Sequence, residues 1–174
     1  GAEVVSATQD IFQRCEMIMR VKAVQPSEYE FIQEGHIFFN YLHLAVAEEL
    51  AQELIESNSV CIAYETIQKA DGSLPLLTPM SEVAGPMAVQ EGAKYLEMAQ
   101  GGKGILLGGV PGVDPGTLLI IGGGVVGINA ARKACGLGAK LWIVAKNLER
   151  LRVLSDVMPN NCFLSMSSEA AFSE

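Results

Sequence analysis

The sequence predicts an α/β fold in which parallel βαβ units form two lobes. Short apolar runs alternate with helix-forming segments along the first half of the chain, as they do in proteins with parallel sheets. A second strand–helix–strand pattern, with a glycine turn inside it, occupies residues 117–147. The composition agrees, because 49% hydrophobic residues with 6% aromatic residues and 18 glycines suit buried parallel strands.

The glycine turn lies between two predicted strands, Leu118–Ile121 and Leu141–Val144. It has the pattern GxGxxG, formed by Gly122, Gly124 and Gly127. In a dinucleotide-binding unit the first glycine makes the turn, the second lets the backbone approach a pyrophosphate, and the third lets the helix pack on the strand. The helix N-terminus then offers N–H groups to the phosphates. We therefore predict a Rossmann fold that binds a dinucleotide, rather than a glycine loop without a ligand.

The end of the second strand departs from this pattern. A dinucleotide-binding unit has Asp or Glu about 20 residues after the glycines, where it binds the ribose 2′-OH. Here the strand ends in Ala145-Lys146-Asn147, and the nearest acid is Glu149 in the next helix. A neutral residue followed by a cation tolerates a 2′-phosphate. We predict NAD as the cofactor, with NADP left open; a solvated loop lysine is the alternative interpretation.

The first half of the chain is predicted to contain three strands and two helices. The strands are Met17–Lys22, Ile37–Tyr41 and Val60–Tyr64, and the helices are Ser27–Gln33 and Leu44–Ser57. A turn-rich link precedes a long helix, predicted over Ser81–Ala99. We expect one lobe over residues 1–80, a connecting helix and glycine-rich loop over 81–116, and a second lobe over 117–174.

The second lobe is expected to be an incomplete Rossmann fold. A complete one has six strands, whereas only Leu118–Ile121, Leu141–Val144 and a weaker Cys162–Leu164 are predicted after residue 117. Residues 167–174 are predicted to begin a helix. The chain is therefore interpreted as a fragment.

Two polar residues follow neighbouring predicted strands of the first lobe. His43 comes after the second strand and Lys22 ends the first, and ligands bind at this edge of open α/β sheets. A histidine there can transfer a proton, and a lysine can pair with a substrate carboxylate. The alternatives are a packed or capping histidine and a solvated lysine. His36 lies at the opposite strand end and is not predicted to act.

Ser81 precedes the predicted long helix and is interpreted as its N-cap, with a hydrogen bond to a cofactor as the alternative. Pro86 falls in the second turn of that helix and removes an N–H group. We therefore expect a kink at Pro86 or a later helix start.

The composition excludes several classes of partner. The net charge of −8 argues against nucleic acid and against anionic membranes, and no apolar run is long enough to cross a bilayer. The four cysteines are scattered and form no CxxC motif, and three of them lie in apolar segments. We expect buried thiols in a reducing cytoplasm and no metal site. The cysteines are Cys15, Cys61, Cys135 and Cys162.

Several longer strings give a more specific indication than the glycine pattern. They are RVKAVQPSEY, YLHLAVAEEL, IAYETIQKADGSLPLLTPMSEVAG and GGKGILLGGVPGVDPGTLLIIGGGVVGINAAR. In this order they resemble the L-alanine dehydrogenase family, which also includes the NAD(H)-binding subunit of transhydrogenases. The resemblance covers nearly the whole chain but only the middle half of a family member.

The resemblance implies roles for individual residues. Lys22 matches the lysine that contacts the carboxylate of pyruvate or alanine, and His43 matches the catalytic histidine. The positions that match cofactor contacts are Ser81 near the nicotinamide, Gly122, Gly124, Val125, Val126 and Gly127 at the pyrophosphate, and Arg150 and Ser167 near the adenosine. Ala145 stands where the family has the ribose-binding acid, and Pro86 stands where it usually has arginine.

The implied activity is NAD-dependent, reversible oxidative deamination of L-alanine to pyruvate and ammonia, with residues 1–80 in the substrate lobe. The implied assembly is a homo-oligomer, commonly a hexamer, in the cytoplasm. A transhydrogenase-type NAD(H)-binding module and a truncated, non-catalytic remnant are the alternatives. The family's substrate arginine and catalytic aspartate would lie outside this chain.

Overall fold

A computed structural model of the chain describes residues 1–168. The chain divides into two compact units, Gly1–Leu77 and a second unit that begins at Thr78. Most of the segment predicted to begin a helix after residue 166 lies outside the described residues. The assignment of the two units to substrate and nucleotide stays a prediction.

The first unit is a three-stranded parallel sheet with order β1-β2-β3. Its regular elements are α1 (Thr8–Arg14), β1 (Met17–Met19), β2 (Ile37–Asn40), α2 (Glu48–Glu56) and β3 (Val60–Ala63). The core is apolar and forms where α1 and α2 pack on the sheet. It consists of Phe12, Ile18, Val24, Phe38, Leu42, Leu50 and Leu54.

The three predicted strands of the first unit are present, each shorter than predicted. The predicted helix Ser27–Gln33 is a 3₁₀ helix, Pro26–Phe31, whose start is held by the Glu28 carboxylate accepting the N–H of Gln25 at 2.7 Å. The helix predicted over Leu44–Ser57 is interrupted. A 3₁₀ turn, Leu44–Val46, is followed by α2, because Ala47 has a non-helical backbone.

The second unit is also built on a three-stranded parallel sheet, with order β4-β5-β6. Its elements are α3 (Thr78–Tyr95), β4 (Thr117–Ile121), α4 (Val125–Gly136), β5 (Lys140–Ala145), α5 (Leu148–Val157) and β6 (Cys162–Met166). The β-α-β-α-β order and the parallel pairing are those of half a doubly wound fold, as the sequence predicted.

The long helix differs from its prediction. Because α3 begins at Thr78, Ser81 lies inside the helix, and the prediction that Ser81 is an N-cap is wrong. Pro86 also lies in the helix interior, so of the two alternatives expected for it the later helix start is wrong, and the kink stays a prediction. Packing explains how the helix tolerates a missing N–H group: Gly85 and Val89 are buried, and Gly85 lies directly on α4.

The cysteines are less buried than predicted. All four are free thiols, but Cys15 and Cys61 are exposed, whereas Cys135 is buried and Cys162 is half-buried. Cys61 is exposed because it lies on β3, which ends the sheet of the first unit on one side and presents three exposed residues in a row. An apolar strand pattern does not guarantee a covering layer on both faces.

We predict opposite effects for two glycine substitutions in α3. A Cβ at Gly85 would lie 2.5 Å from the Val126 carbonyl oxygen and 2.7 Å from the Ala130 nitrogen, whereas a Cβ at Gly92 would meet nothing within 4 Å. Gly85→Ala should lower the free energy of unfolding by about 1–3 kcal/mol, since α3 must move off α4. Gly92→Ala should raise it by about 0.5–1 kcal/mol.

Urea denaturation followed by circular dichroism measures both effects. Equal changes in the two variants would show that α3 and α4 do not approach as closely as the structure indicates.

Candidate functional site

The glycine turn after β4 favours glycine at two positions, at one because of its backbone conformation and at the other because of close packing. Gly122 has φ +106°, a conformation that favours glycine, and its N–H donates to the Val144 carbonyl at 2.8 Å. A Cβ at Gly127 would collide with the Gly122 carbonyl oxygen and lie 3.2 Å from Ile120 Cγ2. The first and third glycines therefore bring α4 against the end of β4.

Gly124 has a different environment. It is the N-cap of α4 with an extended backbone, and a Cβ built there meets nothing within 4 Å. Val125 and Val126 follow as the first helical residues, and N–H groups of a first turn have no intrahelical acceptor. The first turn contains no acidic residue. This helix start can therefore accept an anion, and the space in front of Gly124 is open.

A cleft of about 460 Å³ lies beside the turn, at the carboxyl ends of β4 and β5. Its walls include Gly122–Gly124, Ala145–Asn147, Arg150 and Ser167. The structure thus brings five of the sequence-predicted cofactor positions to one cleft: Gly122, Gly124, Ala145, Arg150 and Ser167.

The far wall of the cleft is held by hydrogen bonds that join α5 to the turn and the segment after β6 to β5. The Arg150 side chain donates from Nε to the Gly123 carbonyl at 2.9 Å, and its backbone N–H donates to the Asn147 side chain, the N-cap of α5, at 2.9 Å. The Ser167 N–H donates to the Ala145 carbonyl at 3.0 Å.

Ala145 itself is buried, while Lys146 is exposed. Arg150 and Lys146 are therefore the cations next to the position where a carboxylate was expected.

Ser81 lies in the second unit but does not line this cleft. It is one turn before Gly85 on α3, and residues four apart in a helix share a face. Gly85 lies against Val126 near the start of α4. The cofactor contact predicted for Ser81 stays a prediction.

In the first unit, the two sequence-predicted residues follow adjacent strands. Lys22 lies three residues after β1 and His43 three residues after β2, and the strands are parallel with Met19 opposite Phe39. Both residues are therefore at the same edge of the sheet. Both are exposed to solvent.

Asn40 connects the two segments that contain Lys22 and His43. It is the last residue of β2, is fully buried, and donates from Nδ2 to the Lys22 carbonyl at 3.1 Å. Its Oδ1 has no partner in the described part of the chain. A buried amide in this position fixes the backbone at Lys22 relative to the end of β2.

His43 has an unusual backbone conformation. Its φ is +53° and its ψ is 36°, the left-handed region that costs a residue with a Cβ about 1–2 kcal/mol. The Glu65 carboxylate accepts the His43 N–H at 2.7 Å and the Leu42 N–H at 3.1 Å. The Tyr41 ring stacks on the imidazole with centroids 6.0 Å apart, and the Tyr41 hydroxyl donates to the Leu76 carbonyl at 2.6 Å.

The contacts of Glu65 also change its acidity. Partial burial alone would raise the pKa of Glu65, but hydrogen bonds from backbone N–H groups, including those of His43 and Leu42, and the charge of His43 lower its pKa overall. Glu65 is therefore an anion at neutral pH, in contact with the segment that contains His43.

His36 has a structural environment. It is buried, its Nδ1 accepts the Gln33 N–H at 3.1 Å, and its Nε2 lies 2.8 Å from the Phe12 carbonyl oxygen. These contacts make Nε2 the protonated nitrogen. Both ring nitrogens are used within the core, which leaves none for a ligand.

Two family models together match nearly the whole chain. The model of the N-terminal domain of alanine dehydrogenase/PNT matches residues 1–84, and the model of the C-terminal domain of alanine dehydrogenase/PNT matches residues 88–174. The chain belongs to the alanine dehydrogenase/PNT family.

Individual members of this family are similar along most of the chain. The alanine dehydrogenase of Methanococcus maripaludis is 51% identical over 168 residues, which is 97% of this chain and 45% of that protein. The alanine dehydrogenase of Bacillus subtilis is 53% identical over 157 residues, or 90% of this chain and 41% of that protein. The chain therefore spans a little under half the length of these relatives.

Two solved structures share the fold of the chain. An L-alanine dehydrogenase superposes with a TM-score of 0.83 at 48% identity. The superposed region is 98% of this chain and 47% of the chain of that structure. A transhydrogenase from Sinorhizobium meliloti superposes with a TM-score of 0.69 at 15% identity. The superposed region is 96% of this chain and 47% of the chain of that structure. At that identity the second likeness shows the fold alone.

Glu65, Asn40 and Tyr41 were not predicted from the sequence. A signal existed for Glu65, because it lies two residues after β3 and therefore at the same sheet edge as His43. Asn40 and Tyr41 precede His43 within the predicted second strand, where they were interpreted as strand residues.

Two further features concern the described part of the chain. Within residues 1–168, no group of three or more His, Cys, Asp or Glu side chains is arranged to hold a metal ion. Over the same range, no helix combines the length and the apolar character that crossing a bilayer requires.

Proposed function

We propose that the protein containing this chain is an NAD-dependent alanine dehydrogenase. L-Alanine, NAD⁺ and water would give pyruvate, ammonium and NADH with release of a proton. The observation that supports this most directly is the identity of about half of all residues to proteins named alanine dehydrogenase, along 90–97% of the chain. The cleft beside the glycine turn and the paired polar residues of the first unit are compatible with it.

The residues of the second unit fit a dinucleotide. The open space at Gly124 and the free N–H groups at Val125 and Val126 suit a pyrophosphate, and Gly122 and Gly127 shape the turn. Ala145, Arg150 and Ser167 would adjoin the adenosine end, and Ser81 the nicotinamide end. When bound, the nicotinamide supplies the hydride acceptor that oxidation of the amino acid requires.

The residues of the first unit would bind and orient the amino acid. Lys22 would pair with the substrate carboxylate as a point charge. His43 would hold a proton at the substrate's carbonyl or imine position, and would give or take it during hydrolysis of the imine. The transhydrogenase-type module would have the same nucleotide cleft without this reaction.

Formation of NADH that depends on added L-alanine tests the proposal. Turnover by the natural protein would support it. Dinucleotide binding without alanine turnover would instead favour an NAD(H)-binding module, and the absence of both would favour a non-catalytic remnant.

We also propose a homo-oligomer in a reducing cytoplasm. Exposed apolar side chains on one helix, including Met80, Val83 and Met87 of α3, are compatible with further burial on assembly. The free thiols are compatible with a reducing compartment.

Gly124→Val is predicted to abolish dinucleotide binding and to leave the fold unchanged. The new side chain would occupy the open space in front of the α4 N-terminus, where its Cβ meets no protein atom. Titration of the protein with NADH, followed by fluorescence, measures binding. Gly136→Ala, at the other end of α4 and also in open space, is the matched control and should bind as the parent does. Unchanged affinity in Gly124→Val would show that the turn has only a structural role.

His43→Ala is predicted to lower alanine turnover at least about 100-fold, since acid–base groups typically contribute about 10²–10⁴. Cofactor affinity should be nearly unchanged. Steady-state kinetics in both directions measure the loss. His36→Ala is an unsuitable control because His36 is buried, so Lys69→Ala on an exposed turn serves instead. Turnover at near-parental rates would make His43 a packing residue.

Ala145→Asp is predicted to change the choice of cofactor. The introduced carboxylate can accept the ribose 2′-OH and should raise NAD affinity by about 1.5–3 kcal/mol. It should weaken NADP binding by repelling the 2′-phosphate, which in the parent would lie near Arg150 and Lys146.

Paired titrations of both nucleotides at low salt measure the shift in the NAD/NADP affinity ratio. Ala145→Asn, which has the same shape without the charge, separates the hydrogen bond from the repulsion. An unchanged ratio in Ala145→Asp would mean that this strand end does not face the ribose.

A further inference from the structure

We infer that Glu65 is a positioning residue for the proposed reaction: by accepting backbone N–H groups, it fixes the left-handed conformation of His43 and thereby the direction of the imidazole. The inference rests on the proposed function, in which His43 is the acid–base group. Glu65 itself does not touch the substrate in this scheme.

The geometry is that of an anion held by consecutive backbone N–H groups. Glu65 Oε1 accepts the His43 N–H at 2.7 Å and the Leu42 N–H at 3.1 Å, and Oε2 lies 3.4 Å from the Leu42 nitrogen. Successive N–H groups that converge on one oxygen form a concave anion site, which the chain here fills with its own carboxylate. The contact spans 22 residues, from the end of β3 to the segment after β2.

Without the Glu65 contact, we expect His43 to leave the left-handed conformation. A histidine at φ +53° is unfavourable by itself, and such residues persist where surrounding contacts over-determine the backbone. A return to the right-handed or extended region would turn the Cα–Cβ bond and move the imidazole away from its present position. The rotation would also break the start of the 3₁₀ turn, in which the His43 carbonyl accepts the Val46 N–H at 3.1 Å.

Other contacts near His43 act on different parts of the segment. Leu42 is anchored by its buried side chain, and Tyr41 stacks on the imidazole ring. Stacking restrains the plane of the ring but leaves the backbone dihedral angles of His43 unspecified. The Glu65 contact acts on the N–H of His43 itself, so it restrains φ directly.

The role depends on an acceptor oxygen rather than on negative charge. A single oxygen of Glu65 receives the shorter hydrogen bonds from both residues. The carbonyl oxygen of a glutamine can receive the same two bonds, whereas an alanine can receive neither. Glu65→Gln therefore separates positioning through the backbone from an electrostatic effect on the imidazole.

The experiment compares three variants of the natural protein that contains this chain. Glu65→Ala should lower kcat for alanine about 10–100-fold, the cost expected when a reacting group is displaced by about 1 Å, and should change KM for alanine less. Glu65→Gln should stay within about threefold of the parent, with an unshifted pH profile of kcat/KM. Glu56→Ala, an exposed glutamate of the same unit that accepts a hydrogen bond from Gln52, is the matched control and should behave as the parent.

A double-mutant cycle distinguishes positioning from general support of the fold. If Glu65 acts through His43, Glu65→Ala should lower turnover no further in a His43→Ala background. An additive loss would overturn the inference, as would parental activity of Glu65→Ala. A Glu65→Gln variant as impaired as Glu65→Ala, with a shifted pH profile, would overturn it in favour of a charge effect.

A spectroscopic measurement keeps the inference testable without turnover. In protein labelled with ¹⁵N-histidine, the amide signal that is missing in His43→Ala identifies His43. That signal should move upfield in Glu65→Ala, while the signal of His36, whose N–H donates to Gln33, stays in place. An unmoved His43 signal would refute the contact, whereas full activity of His43→Ala would refute only the proposed role of His43.

Discussion

Parallel pairing of all the strands in each unit determines where the rest of the structure can lie. β1, β2 and β3 run in one direction, and so do β4, β5 and β6. Each strand must therefore be followed by a connection that returns along the sheet, and the carboxyl ends of all three strands meet at one edge. The residues that leave those ends contain N–H groups that the sheet no longer pairs. Lys22 and His43 lie on this edge in the first unit, and Ala145 lies on it in the second unit.

The two units satisfy these N–H groups in different ways. After β2, the N–H groups of Leu42 and His43 donate to the Glu65 carboxylate, so a side chain of the same unit satisfies them. After β4, the first turn of α4 lacks an acidic residue, and the space in front of Gly124 stays open. The same chemistry therefore fixes a side chain in one unit and leaves a site for an external anion in the other.

Much of the fold could be predicted because it depends on local pattern. Apolar runs of strand length and the glycine spacing are encoded within short windows, and the β-α-β-α-β order of the second unit follows from them. The start of α3 could not, because packing of Gly85 on α4 stabilises a helix that begins before Ser81. The exposure of Cys61 also depends on what covers β3, which no local pattern records. The contact of Glu65 with His43 joins two segments through backbone N–H groups, so no pattern of side chains in the sequence predicts it.

The arrangement around Arg150 gives the cleft a local charge opposite to that of the chain. The chain has a net charge of −8, yet the described residues that line the cleft include Lys146 and Arg150 and no carboxylate. All of this negative charge belongs to the first unit, because the second unit, which contains the cleft, has eight basic and eight acidic residues. A phosphate-bearing molecule would therefore meet two cations on a unit that has no net charge of its own. Attraction of this kind acts over short distances, and added salt should weaken it, since the Debye length falls from about 30 Å at 0.01 M salt to about 10 Å at 0.1 M.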